Sequence, residues 1–205
     1  DEATGSSRKE GRPVLFTIGD STVKNKDNDK NGMWGWGSVI ADEFDLNKIS
    51  VENCAMAGRS ARTFLDEGRW DKVYHALQPG DFVLIQFGHN DEKADSARHT
   101  DPGTTFDDNL RRFVNETRVK GGIPVLFNSI VRRNFVQPED ASIATDARRA
   151  PGEQELPKEV NVLYDTHGAY LDSPRNVAKE MGVAFIDMNK NTHDLVQGLG
   201  PAESK

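Results

Sequence analysis

Ser21 stands in "LFTIGDSTV", directly behind an apolar run. A serine hydroxyl presented at a strand end is a candidate acyl-transfer nucleophile. Gly-Asp-Ser-Thr is equally ordinary turn and helix-cap chemistry, so this segment alone leaves both readings open. Two further polar stops follow apolar runs: "NCAMAGRSAR", with Gly58, Arg59 and Ser60, and "GHND", Gly88 to Asp91. A backbone N–H at Gly58 has no side chain in its way, and the Asn90 amide carries two donors. Together with the N–H of Ser21 they could surround an oxyanion, often the largest single contribution to acyl transfer. Each has a structural alternative: Gly58 as a turn glycine, Asn90 as an Asx-turn residue. The "GHND" stretch also raises metal ligation through His89 and Asp91. Adjacent positions rarely converge on one ion without ligands elsewhere, and the single Cys54 offers no thiolate cage, so no metal is expected.

These stops acquire meaning from the elements that carry them. "VLFTI", "ISVEN", "FVLIQF", "PVLFNS" and "VAFID" read as strands, most of them continuously apolar, as in strands covered on both faces. Between them, "TFDDNLRRFVNETRVKGG" places Phe106, Leu110, Phe113 and Val114 on one helical stripe. In "DSPRNVAKEMG" the sequence predicts a Ser173 cap, Pro174 at the first helical position and Gly182 as the stop. Shorter helices are expected over Gly37–Phe44, Trp70–Leu77 and Thr192–Gln197, and a long surface loop over Gln137–Lys158. Strands alternating with helices predict a doubly wound, flavodoxin-like α/β fold: about five parallel strands with helices on both faces, three layers in all. Ligands in such folds bind beyond the carboxyl ends of the strands, where all three polar stops fall. Their coincidence on one rim favours the nucleophile reading of Ser21.

Of the 205 residues, 36% are hydrophobic and 29% charged, a globular balance, and one domain over residues 1–205 is expected. The net charge of −7 argues against a nucleic-acid partner. No apolar run approaches the ~20 residues of a membrane span, and the polar opening "DEATGSSRKEGR" is not a signal peptide.

"GDST", "NCAMAGRS" and "QFGHND", in this order and spacing, resemble the first three sequence blocks of the SGNH (GDSL-type) hydrolases. The wording is most similar to the rhamnogalacturonan acetylesterases, to which "GMWGWG" and "GGIPVLFNSIVRR" also fit; the likeness runs from about Val14 to Gly198. The resemblance implies Ser21 as nucleophile, Gly58 and Asn90 as oxyanion donors beside the Ser21 N–H, and Asp20 supporting the serine turn. It implies deacetylation of an acetylated, pectin-type plant cell-wall polysaccharide through an acyl-enzyme, with no cofactor and no metal. Asp20, His89 and Trp34 are the candidate substrate-binding residues; Trp34 and Trp36 could stack on sugar rings or pack internally. An enzyme acting on such a polymer is expected to be secreted or periplasmic.

One part of the family pattern has no counterpart. The fourth block is Asp-x-x-His, and the residues three positions before His75, His89, His99, His167 and His193 are Lys72, Gln86, Ser96, Tyr164 and Lys190, none of them acidic. The nearest imitation is Asp165 with His167 in "YDTHG", read as loop residues lining the cleft, with His167 a weak candidate base; the other histidines are expected at the surface. The expectation is therefore a domain without its C-terminal catalytic block and last helix, and a 205-residue form impaired as an esterase. The alternative is a non-catalytic carbohydrate-binding or interaction module on the same fold.

Overall fold

Apolar β-branched runs pair into a sheet whose order explains where a ligand can sit. The computed structural model describes residues 5–26, 32–136 and 162–205. Its strands are β1 (Val14–Gly19), β2 (Ser50–Asn53), β3 (Phe82–Gln86), β4 (Ile123–Phe127), β5 (Asn134–Val136), β6 (Val162–Tyr164) and β7 (Ala184–Ile186). Five of them form an all-parallel sheet in the order β2-β1-β3-β4-β7, while β5 and β6 make a separate antiparallel pair. The helices are α1 (Ala61–Asp66), α2 (Arg69–Ala76), α3 (Thr105–Val119), α4 (Asp172–Met181) and α5 (Met188–Glu203). The architecture is the expected three-layer α/β/α. The chain adds β2 on one side of β1 and β3 on the other, so the winding reverses between β1 and β3 and opens a crevice at their carboxyl ends.

Alternation along the strands assigns the two faces. Val14, Phe16 and Ile18 of β1 join Phe64, Trp70, Phe113 and Val177 of the helices in the main core. Phe113 is its hub, stacked on Phe87 at 5.5 Å and edge-on to Trp70 at 5.0 Å. On the opposite face Leu15, Leu84 and Phe127 pack with Trp36, Ile40 and Met188. An apolar groove of about 660 Å³ runs along this face. At the amino ends of the strands, fully buried Asp81 accepts from Val14 N and Gln78 N at 2.8 Å each and pairs with Arg8.

Several boundaries differ from the sequence reading. The Gly37–Phe44 segment is two 3-10 turns, Trp36–Ser38 and Ile40–Glu43. The chain enters α4 through another 3-10 turn, Gly168–Leu171, so Ser173 is inside the helix and makes no cap; the preceding turn already sets the helical direction. Gly182 does close α4, at φ 65°. The helix read over Thr192–Gln197 is the middle of α5, which breaks at Gly200 (φ 75°) ahead of Pro201. The expected Gln137–Lys158 loop lies outside the described residues. Among the described residues no helix is long and apolar enough to cross a membrane.

Candidate active site

Three strand ends build the crevice. After β1, Val23 N and Lys24 N bond back to Asp20 O at 3.1 and 3.0 Å, making a tight turn that leaves Ser21 partly exposed while Asp20 is buried. Asp20 Oδ1 accepts from Thr22 N at 2.8 Å and Thr22 Oγ1 at 2.7 Å, holding the turn from inside. Its other oxygen is buried without a partner. Burial pushes the Asp20 carboxyl up, and the Thr22 bonds and the charges of His167 and Arg132 pull against it. Among the described residues the Ser21 hydroxyl makes no hydrogen bond.

A relay behind the turn fixes its position. Thr22 Oγ1 accepts from Gln86 Nε2 at 2.6 Å, and Gln86 Oε1 accepts from Trp36 Nε1 at 2.8 Å. Trp36 N donates to Thr22 O and Gly35 N to Lys24 O, both at 2.9 Å. This contact explains the glycines of "GMWGWG". A Cβ on Gly35 would lie 2.2 Å from the Thr22 carbonyl carbon, and one on Gly37 would lie 2.3 Å from Val23 O. Only glycine lets this segment run against the serine turn. Trp36 stacks on Phe127 at 5.2 Å, the packing alternative for this residue, whereas Trp34 is 47% exposed with Lys26 Nζ 5.9 Å from its ring.

The second stop is tied to the first. Asn53, the last residue of β2, accepts from Thr17 Oγ1 and donates to Val23 O, both at 2.7 Å, and Met56 N donates to Gly19 O at 3.0 Å. Gly58 has φ 75°, a left-handed turn with open space where a side chain would be. Ser60 then caps α1 in a reciprocal box with Thr63.

At the third stop Asn90 is not an Asx-turn residue. One N–H of its amide donates across the rim to Arg59 O at 3.0 Å, next to Gly58, and its second N–H has no partner among the described residues. Its neighbour Asp91 accepts Ala61 N on both oxygens at 3.1 Å and Thr100 Oγ1 at 2.9 Å. Burial nonetheless pushes the Asp91 carboxyl up to about 7, with Asp20 adding in the same direction. The structure thus joins the turns bearing Gly58 and Asn90 directly, and ties the Ser21 turn to both through Asn53 and Gln86. Cys54, the other potential nucleophile nearby, has a buried thiol pushed up to about 12.

His75 is exposed and His99 partly exposed, both at the surface as expected, but His167 and His193 are arranged differently. Asp165 and His167 do lie in a loop, between β6 and the Gly168–Leu171 turn, but they are buried, 2% and 1% exposed. His167 Nδ1 lies 2.9 Å from Glu92 Oε2 and Nε2 lies 3.0 Å from Ile130 O, so both ring nitrogens face oxygens that accept. Glu92 also pairs with Arg132, and Arg132 Nη2 donates to His89 O at 3.1 Å. His89 completes the ring of contacts edge-on to His167, at 4.3 Å between centroids. Burial, then the charges of His167 and Arg132, hold the His89 imidazole well below its usual range, and its Nδ1 is buried without a partner. His193, expected at the surface, is 2% exposed. It lies one turn before Gln197, whose Oε1 accepts from Leu163 N at 2.8 Å, on the face of α5 turned to β6.

Glu92, Arg132 and Gln86 are absent from the candidates read from sequence. The signal for them was present: Gln86 is a polar residue ending an apolar strand, and Arg132 follows β4 on the same rim as the three stops.

A parallel sheet whose winding reverses at β1/β3 receives its ligands at that point, and here three linked turns bring donors and a serine to it. The GDSL-like lipase/acylhydrolase family pattern matches residues 17–203, and the chain belongs to that family. It is 35% identical to a rhamnogalacturonan acetylesterase of Bacillus subtilis over 95% of this chain and 73% of the relative. It is 38% identical to a rhamnogalacturonan acetylesterase of Emericella nidulans over 90% of this chain and 79% of the relative. The crystal structure of protein YxiM from Bacillus subtilis superposes with a TM-score of 0.71 at 24% identity, covering 94% of this chain and 48% of that one. Family and relatives together support an esterase.

Proposed function

We propose that this protein removes acetyl groups from an acetylated polysaccharide of the rhamnogalacturonan type by serine acyl transfer. Ser21 Oγ attacks the acetyl carbonyl carbon as its proton departs, the ester C–O bond to the sugar breaks, and that proton passes to the sugar oxygen, which leaves as a hydroxyl. Water then hydrolyses the acetyl–Ser21 ester and releases acetate. The oxyanion of each tetrahedral intermediate is received by the N–H groups of Ser21 and Gly58 and by the second amide N–H of Asn90. The observation that carries this reading is the Asn90-to-Arg59 bond, which orients the amide beside Gly58 and leaves one of its donors available. Asp20 and the Thr22–Gln86–Trp36 relay hold the serine turn, and exposed Trp34 offers a ring for a sugar to stack on.

His167 is given a scaffolding role, because both of its nitrogens are engaged with acceptor oxygens. The second reading, a carbohydrate-binding module on the same fold, is favoured by one observation: among the described residues no imidazole meets the Ser21 hydroxyl. The two are separated by acetate release from acetylated rhamnogalacturonan, comparing the protein with its Ser21→Ala variant. Release that depends on Ser21 supports the esterase; binding of the polymer with no release above the variant supports the module.

A further inference from the structure

A polar hollow of about 680 Å³ opens between α1, the segment following the Asn90 turn, and the first turn of α3. Arg62, Asp66, Ser96, His99, Asp101 and Asn109 are among its walls, and no Phe, Tyr or Trp lines it. Arg62 begins four residues after Gly58, and the opposite wall is anchored to the Asn90 turn. Thr100 N bonds to Asp91 O at 3.1 Å, and Arg98 Nη1 reaches Asn90 Oδ1 at 3.4 Å. The hollow is therefore built on the same two turns that carry the candidate oxyanion donors.

Its charged groups find partners within the walls. Arg62 pairs with Asp66 at 3.5 Å, and His99 Nε2 with Asp101 Oδ1 at 2.9 Å. The half-buried Asn109 amide makes no hydrogen bond among the described residues, leaving donors and an acceptor free. Sugar hydroxyls both donate and accept, and adjacent amide, guanidinium and carboxylate groups match them. A uronate carboxylate would instead have to displace Asp66 from Arg62 and lie near Asp101.

We propose that this hollow is a subsite for a neutral hexopyranose ring of the polysaccharide, beyond the acetylated sugar, read through its hydroxyls by Asn109, Arg62 and Asp66. The inference rests on the acetylesterase reading for its substrate but not for its binding test. Asn109→Ala and Arg62→Ala are compared with the unaltered protein on acetylated rhamnogalacturonan and on a small acetyl ester. The ratio of kcat/KM on polymer to that on the small ester falls about tenfold in each variant, the scale of a lost hydrogen bond or two. A ratio within about twofold of the unaltered protein in both variants overturns the subsite. In parallel, Ser21→Ala protein is titrated with deacetylated, uncharged hexose oligosaccharides and, separately, with oligogalacturonate, while the Asn109 side-chain amide is followed by NMR. A shift of that amide with the uncharged oligosaccharide, and weaker binding once Asn109 is alanine, supports the subsite even if turnover proves independent of Ser21. A shift with oligogalacturonate alone, or with neither, overturns it.

Discussion

Replacing Asn90 by alanine removes two things at once, and the structure separates them. The amide N–H without a protein partner is the donor assigned to the oxyanion, and losing one such donor costs about 2.7–4 kcal/mol of transition-state stabilisation, or roughly 100- to 1,000-fold in kcat. The other N–H holds Arg59 O at 3.0 Å in a site where Asn90 is 8% exposed. Stranding that carbonyl costs about 1–3 kcal/mol of stability, a fall in Tm of roughly 2–12 °C for a chain of this size. Asn90→Asp is expected to be the more damaging, since a carboxylate oxygen would face both the Arg59 carbonyl and the developing anion. The assay is steady-state hydrolysis of a small acetyl ester with thermal unfolding of the same samples. The expected result is a kcat loss of at least 100-fold with KM little changed, alongside the Tm decrease. A raised KM with intact kcat would make Asn90 a substrate-positioning residue. A lower Tm with intact kcat would make the Arg59 contact purely structural; either outcome refutes the oxyanion assignment.

His167→Ala and Glu92→Gln are expected to lower kcat by similar factors, roughly 10-fold each, and the double variant by little more, because both break one ring of contacts behind His89. The pH profile of kcat/KM should keep its shape; loss of its acidic limb in His167→Ala would show that His167 is the base instead. Asp91 links stability to pH. Its folded-state carboxyl is raised from 3.8 to about 7, so its contribution is fully present below pH ~4 and is lost as pH rises through about 7. The difference of roughly three units corresponds to about 4 kcal/mol at most. Asp91→Asn, which can still accept from Ala61 N and Thr100 Oγ1, should flatten denaturant stability between pH 4 and 7; an unchanged slope would show that Asp91 is not the group responsible.

The central strands were legible because each is a continuous apolar run, which needs only a sheet covered on both faces. The β5/β6 pair was not, since three-residue strands carry no period to read. The sequence places the start of α4 too late because Ser173 and Pro174 have ideal local chemistry for a helix start, and the 3-10 turn before them overrides it. The placement of Ser21, Gly58 and Asn90 on one rim is readable because each follows its strand by a few residues. The roles of Gly35 and Gly37 depend on a close approach to the serine turn, and the His167–Glu92 contact spans 75 positions in sequence; neither leaves a local signature.

Every step of the proposed reaction depends on Ser21 as the nucleophile. Stoichiometric treatment with a serine-directed organophosphate, followed by peptide mass mapping, tests it together with acetate release from acetylated rhamnogalacturonan. The expected result is one adduct, on the peptide containing Ser21, and neither an adduct nor acetate release in Ser21→Ala. An adduct at another residue, with Ser21→Ala turning over as fast as the unaltered protein, would contradict it.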